Sequence, residues 1–483
     1  MTLLPTTDQL FIAGRWRPAA AGATLPIENP STGEEIGRIA RGTEADVALA
    51  VEAATAALDG SWGRLTATER GRLLARLGDI VKANSEELTR LETIDVGKPV
   101  RQAHNDALAL ARYCEFYAGA ADKVHGQTIP YLDGYTVYTL RVPHGVTGHI
   151  IPWNYPMQII GRSICAALAM GNAVVLKPAE EACLTALAFA RLAEQADFPR
   201  GAINVVTGLG EEAGAALAAH ADVAHLSFTG SFSVGTLVQT AAARHAAPVT
   251  LELGGKSPQI VFADADIDRA LPFLVNAGIQ NAGQTCSAAS RLLIQRQIFD
   301  AVMARLAERY RALKVGPADQ DLDVGPLISA RQKAVVEDYL DVATRDRLEI
   351  VARGEIVADA PKRGHYVAPA LIAGASPSHR LAQEEIFGPV QVAMPFDTEE
   401  DAVAIANGTR FGLVAGVWTA DGARQMRMAK AIRAGQVFIN NYGAGGGIEL
   451  PFGGFGHSGH GREKGFEALY GFSAVKTVAA YHG

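Results

Sequence analysis

The chain has 483 residues, 48 % hydrophobic and 20 % charged, the balance of an ordinary folded protein and not of a disordered or fibrous one. Its formal net charge of -7 excludes a general nucleic-acid binder, because phosphate contacts need a basic surface, and its length predicts two or more domains around large cores. Four cysteines at this length cannot form a disulfide framework, which points to a reducing compartment, the cytoplasm, and makes each thiol worth examining singly.

The opening MTLLPTTDQLFIAGRW lacks a basic stretch followed by a long apolar core, so no signal peptide is expected. No apolar run approaches the ~20 residues of a membrane span. The longest, around Ile164 to Met170, is interrupted by Gly161, Arg162 and Gly171, so no membrane partner is expected. Residues from Glu69 to Glu92 predict one long, charged, amphipathic helix, and TVYTLRV, from Thr136 to Val142, alternates as a strand does. That strand and the final KTVAAY are candidates for edge pairing between subunits. From Val146 to Leu253 the runs HII, AVVLK, INVVT, AHLSF and VTLEL read as strands, separated by helix formers such as LTALAFARLAEQA. Strands alternating with helices predict a doubly wound α/β domain with a parallel sheet, and nucleotides bind such sheets at the carboxyl ends of the strands. Between Pro258 and Asn441 the runs PQIVF, LLIQ, QVAMPF and GVW predict a second α/β domain.

Four motifs spread along the chain share one chemical logic: Pro152-Trp153-Asn154, Glu252-Leu253-Gly254-Gly255-Lys256, Gly283-Gln284-Thr285-Cys286 and Glu385-Ile386-Phe387-Gly388-Pro389. Together with Lys177-Pro178, Phe228-Thr229-Gly230-Ser231, Pro451-Phe452-Gly453-Gly454 and Gly461-Arg462-Glu463, they make the chain resemble the aldehyde dehydrogenase superfamily over nearly its whole length. The resemblance implies a Rossmann-like cofactor domain at 1–120 and 144–254 and a catalytic α/β domain at 255–457. It also implies a small β oligomerisation element with the C-terminal segment at 121–143 and 458–483, and an assembly of two or four copies.

Cys286 lies in the polar, small-residue loop NAGQTCSAAS, where a thiol is accessible, and a nucleophile needs that access together with a depressed pKa. Cys114, Cys165 and Cys183 read as core cysteines in helices. Glu252 ends a strand just before two glycines, where a partly buried carboxylate can serve as a base on water; the plain alternative is a salt bridge with Lys256. Asn154 taken alone reads as a helix cap. The resemblance makes it, with the backbone N–H of Cys286, the holder of an oxyanion.

Gly230 and Gly235 follow the strand AHLSF and open a helix that can receive a pyrophosphate, although the spacing is not GxGxxG and turns need glycine in any case. The resemblance turns Lys177 and Glu180 toward an adenosine ribose, where the plain alternative is a solvated loop pair. It turns Glu385, Phe387 and Trp153 toward the nicotinamide end, with Ile150, Pro152, Gly210, Phe228, Ser231, Val234 and Leu253 completing the cofactor residues. A carboxylate at Glu180 favours NAD over NADP. The substrate pocket is drawn from Tyr155, Gln158, Arg162, Thr285, Ser287, Phe452 and the loop before Pro451. Arg162 stands where succinate-semialdehyde dehydrogenases bind a carboxylate, but Gln280 replaces their second arginine. Either Arg162 recognises an acidic substrate, or it pairs with a protein carboxylate beside a pocket for a neutral or aromatic aldehyde. Many family members carry lysine in place of Ser163, so Glu463 is given no part in a proton relay. His457 and His460 lack a third ligand, and no metal is expected.

The implied reaction is oxidation of a small-molecule aldehyde to the acid with NAD. Cys286 attacks the aldehyde to give a thiohemiacetal, hydride transfer leaves a thioester, and water activated by Glu252 hydrolyses it. A CoA-acylating relative typically lacks the acid at Glu252, and a catalytically silent protein on the same fold is expected to lose Cys286 or Asn154.

Overall fold

The structure, a computed structural model, describes residues 3, 4, 6–443 and 447–483. Among them, eight strands form the first sheet in the order Arg15–Arg17, Leu10–Ile12, Ile203–Val205, Ala173–Pro178, Val146–Ile151, His225–Thr229, Val249–Glu252 and Gly459–His460. The strands from Ile203–Val205 to Val249–Glu252 run parallel and are buried along almost their whole length. Burial on both faces is why AVVL reads as an unbroken apolar run instead of alternating.

Strand order reverses at Val146–Ile151: the next two strands step away on one side, and His225–Thr229 returns to the other. A crevice opens at the carboxyl ends of strands around such a switch point. Register aligns the predicted residues along it, with Ile150 opposite both Lys177 and Phe228 and Thr229 opposite Glu252.

The second sheet runs Glu349–Arg353, Ala370–Ala373, Val390–Phe396, Arg291–Gln295, Pro258–Val261, Val414–Trp418, Gln436–Ile439, and only its first pair is antiparallel. Each sheet has its own apolar core, the first around residues such as Val174 and Phe189, the second around Leu293 and Trp418. A smaller cluster of Ala289, Leu413, Val414, Tyr442 and Phe452 packs beside Cys286.

One expectation is corrected. The segment from Glu69 to Glu92 is not one helix but parts of two, Ala67–Ala83 and Ser85–Val96. Asn84 divides them: its side-chain amide donates to the Ile80 carbonyl at 2.8 Å and so competes with the helical ladder. Within the chain the two strands that are candidates for edge pairing between subunits form a small sheet, Ser473–Tyr481 lying antiparallel to Tyr135–Pro143 with Thr128–Ile129 at the far edge, which leaves Ser473–Tyr481 as the other edge. Among the described residues no helix is long and apolar enough to cross a membrane.

Candidate active site

The loop that carries Cys286 enters the Arg291–Gln295 strand through a tight left-handed stretch, with φ of 50° at Asn281, 55° at Ala282 and 71° at Gly283. A Cβ on Gly283 would lie 2.1 Å from the Gly388 carbonyl oxygen, so both the conformation and the space demand glycine. Side chains hold the strained stretch in place. Asn281 donates from its amide to the Asn154 carbonyl at 2.9 Å, Asn154 donates from its amide to the Gln284 carbonyl at 2.9 Å, and Gln102 accepts from the Asn281 N–H at 2.9 Å. Asn154 and Cys286 are thereby tied together, although one sits after the first sheet and the other before a strand of the second.

Cys286 is half-buried, whereas Cys114, Cys165 and Cys183 are buried, as core cysteines are. The thiol is not depressed, contrary to expectation. Burial pushes it up to about 11, against the pull of Arg162. Glu252 is 1 % exposed, and among the described residues neither carboxylate oxygen has a hydrogen-bond partner. Burial holds its pKa well above the ordinary carboxylate range, with Arg162 opposing. The alternative pairing with Lys256 does not form: the Lys256 ammonium is itself without a hydrogen-bond partner among the described residues, and burial lowers it to about 7.

Arg162 lies on a π-helical turn, Ile160–Ile164, set between the short α-helical pieces Pro156–Ile159 and Cys165–Ala169. The wider turn presents a side chain that a regular helix would place differently. Arg162 forms a buried ion pair with Glu463, donates to the Thr229 hydroxyl at 3.1 Å, and stands 5.1 Å from the centroid of the Phe452 ring. Glu463 also accepts from the Ser227 hydroxyl at 2.6 Å. Arg162 thus has a protein carboxylate as its partner while it also lines the crevice.

Cys286, Glu252, Asn154 and Arg162 line one crevice of about 420 Å³, within the ~300–1,000 Å³ range of ligand sites. Around Cys286 it is lined by Tyr155, Gln158, Arg162, Thr285, Ser287 and Phe452. The Tyr155 hydroxyl is 3.0 Å from that of Thr285. Of the loop before Pro451, residues 444–446 lie outside the described residues. At the other end Ile150, Pro152 and Trp153 continue the central strand, facing Phe228, Gly230, Ser231 and Val234. Ser231 caps the helix Phe232–Ala243, whose free backbone N–H groups suit a pyrophosphate. Lys177 and Glu180 pair at 2.9 Å near Gly210. Burial raises Glu180, but Lys177 and backbone donors outweigh it, so Glu180 remains an ionised acceptor suited to ribose hydroxyls. Glu385 accepts from the Gly255 N–H at 2.9 Å, and burial raises it to about 7. A Cβ on Gly254 would fall 2.1 Å from its carboxylate. Phe387 meets Trp153 edge-on, with ring centroids 5.3 Å apart. This donor set fits a dinucleotide.

Leu253 is the predicted cofactor residue that does not line the crevice; it is buried, and its N–H donates to the Ser458 carbonyl at 3.2 Å. His457 stacks on Phe232, with ring centroids 3.9 Å apart. Sequence reasoning missed Glu181, Arg331, Gln332 and Lys464, which line the crevice. Gln332 donates to the Phe387 carbonyl at 2.9 Å, and Arg331 pairs with Glu181 at 3.4 Å. Both belong to the start of the helix Ala330–Arg345, and no local pattern in the sequence turns that end toward the site.

Comparison with known proteins gives a consistent picture. The aldehyde dehydrogenase family model matches residues 16–478. The hydroxyisobutyraldehyde dehydrogenase of Mycolicibacterium austroafricanum is 42 % identical over 481 residues, covering 99 % of this chain and 94 % of that protein. A crystal structure from Burkholderia cenocepacia, of a protein provisionally assigned as an aldehyde dehydrogenase, superposes with a TM-score of 0.98 at 62 % identity, covering 99 % of this chain and 100 % of the other. The betaine aldehyde dehydrogenase of Staphylococcus aureus, solved in complex with NAD+, superposes with a TM-score of 0.97 at 34 % identity, covering 100 % and 96 %.

Proposed function

This chain belongs to the aldehyde dehydrogenase family and oxidises aldehydes with NAD, and from that premise we propose that Cys286, Glu252 and Asn154 carry the chemistry. The observation that carries the assignment is their meeting in one crevice, where the half-buried thiol shares the lining with a buried carboxylate that has no hydrogen-bond partner among the described residues. Cys286 attacks the aldehyde carbon, and the oxyanion is held by the Asn154 amide and backbone N–H groups. Bound NAD supplies the hydride acceptor. Glu252, whose proton affinity burial has raised, takes a proton from the water that hydrolyses the thioester. Glu180, Lys177 and the start of the helix Phe232–Ala243 hold the dinucleotide, with Glu385 and Phe387 at its nicotinamide end.

Because Arg162 is engaged by Glu463, the substrate is an aldehyde without an acidic group. The Mycolicibacterium relative is named for a small uncharged aldehyde, which supports the same reading. Residues 1–120 and 144–254 act as the cofactor domain and 255–457 as the catalytic domain. The small sheet exposes Leu140 and Val475, and the turn between two of its strands exposes Tyr131 and Leu132, which supports an assembly of two or four copies. Four free cysteines support a cytoplasmic address. NADH formation over a panel of aldehydes, with and without CoA, tests the function: the CoA-independent acid product is expected, and strict dependence on CoA overturns hydrolysis.

A further inference from the structure

Behind the wall of the crevice lies a cluster of charge that the chemistry above does not use. Lys98, in the short connection between the helices Ser85–Val96 and Val100–Ala120, is fully buried. It pairs with Glu92 at 2.5 Å and with Asp106, and its ammonium stands 4.0 Å from the centroid of the Tyr155 ring. Buried charges are costly unless their partners are complete. Lys98 takes one oxygen of the buried Asp106, and the other oxygen accepts from the Gln158 amide nitrogen at 2.5 Å. An ionised carboxylate offers acceptors alone, so it decides which way round that amide stands: nitrogen toward Asp106, oxygen away from it. Gln158 is half-buried and lines the crevice, and among the described residues its oxygen has no hydrogen-bond partner. The part of the amide left for the crevice is therefore an acceptor.

The hydroxyl protons of the same wall are already given away. Thr285 donates to the Gln280 carbonyl at 3.3 Å, so in its 3.0 Å contact with the Tyr155 hydroxyl it is Tyr155 that donates. Gln158, Tyr155 and Thr285 together thus offer lone pairs and no free proton. We propose that Gln158 is a specificity-determining residue, positioned by Asp106 and Lys98, whose amide oxygen accepts from a hydroxyl group on the substrate. The preferred aldehydes are short, uncharged and hydroxylated. One neutral oxygen satisfies a hydroxyl but does not repay the desolvation of an ammonium, and it repels a carboxylate. The inference rests on the reading that the crevice takes aldehydes without an acidic group.

The test is NADH kinetics of the full-length enzyme on two matched pairs, glycolaldehyde with propanal and 3-hydroxypropanal with butanal, each pair exchanging a hydroxyl for a methyl group. The quantity read is the ratio of kcat/KM within a pair, hydroxylated over plain. In at least one pair that ratio is expected to be about three- to tenfold higher in wild type than in Gln158→Leu, the worth of one neutral hydrogen bond. Asp106→Asn is expected to lower it as well: Lys98 keeps the new carbonyl oxygen, the new NH2 faces Gln158, and the Gln158 oxygen turns inward. A purely structural role for Asp106 would lower both members of a pair alike and leave the ratio where it was. Gln158→Leu leaves the Lys98–Asp106 pair in place, so it reads out even if Asp106→Asn fails to fold. Equal ratios in wild type and Gln158→Leu for both pairs overturn the proposal, as does a folded Asp106→Asn with the wild-type ratio. So does a Gln158-dependent preference for 3-aminopropanal that exceeds the one for 3-hydroxypropanal. A wild-type preference of about tenfold or more for succinate semialdehyde over butanal would instead overturn the uncharged-substrate reading beneath it.

Discussion

Replacing Arg162 with methionine leaves Glu463, whose side chain is fully buried, with the Ser227 hydroxyl as its remaining short partner. Removing one member of a buried ion pair costs about 3–5 kcal/mol, because the other charge stays behind without compensation. Unfolding entropy of about 2.1 cal/mol/K per residue amounts to roughly 1 kcal/mol/K over the 483 residues, so Tm falls by about 3–5 °C. Adding Glu463→Gln removes the stranded charge and recovers most of that loss, which makes the pair a measurable coupling. The kinetic expectation follows from the same geometry. Arg162 is occupied by protein groups, so kcat/KM falls by a similar factor for an uncharged aliphatic aldehyde and for a semialdehyde acid of the same length. Thermal melts of the two single variants and the double variant, together with NADH kinetics on both substrates, check this. A KM increase of about tenfold or more confined to the acid, with Tm unchanged, refutes the structural role and returns Arg162 to substrate recognition.

Cys286→Ala is expected to abolish NADH formation while the NAD Kd stays within about twofold, because the thiol bonds to substrate and only neighbours the cofactor. Glu252→Gln retains the first half-reaction and stalls at hydrolysis, so stopped-flow shows a burst of NADH followed by slow turnover; a steady rate without a burst sinks its role as base. Glu180→Ser removes the carboxylate that repels a 2′-phosphate and is expected to raise kcat/KM with NADP relative to NAD, incompletely so because Lys177 already offsets part of that charge. His149 is fully buried, and burial lowers its pKa from 6.5 to about 3. The unfolded chain therefore binds the extra proton between those values, and the stability that His149 contributes above about pH 6.5 is lost as pH falls, at about 1.4 kcal/mol per pH unit. Melting curves from pH 7 to about pH 5 should be flatter in His149→Gln; equal slopes would show that other groups dominate the acid loss.

Much of this architecture is legible locally. AVVL announces a buried parallel strand because both faces are covered, and the switch point needs only the order in which such strands occur. Cys286, Glu252 and Asn154 are visible because each stands in a short motif that ends or precedes a strand. What depends on distant pairing was not legible. Glu463 answers the charge of Arg162 from the far end of the chain, and the Glu252–Lys256 pairing that sequence proximity suggested is absent. The depressed thiol expected at Cys286 required its burial to be known. Lys464 was overlooked because a positive φ at a non-glycine residue is imposed by the hydrogen bonds on either side of it, and no propensity signals it. Leu253 shares the motif of Glu252 but points into the packing beneath, since neighbours along a strand face opposite ways.

The separation of Arg162 from Glu463 also sets a clock. About 300 residues lie between them, and at a synthesis rate of about 5–20 residues per second the guanidinium waits roughly 15–60 s for its counter-charge. During that interval closing the first sheet over Arg162 would bury an uncompensated cation, so the wall of the crevice has reason to stay open. Glu463 and Lys464 then arrive within the last stretch translated. A growing chain accordingly leaves Arg162 without its buried partner until it is almost finished, and a truncated one carries the nucleophile beside a crevice wall that holds an unanswered charge.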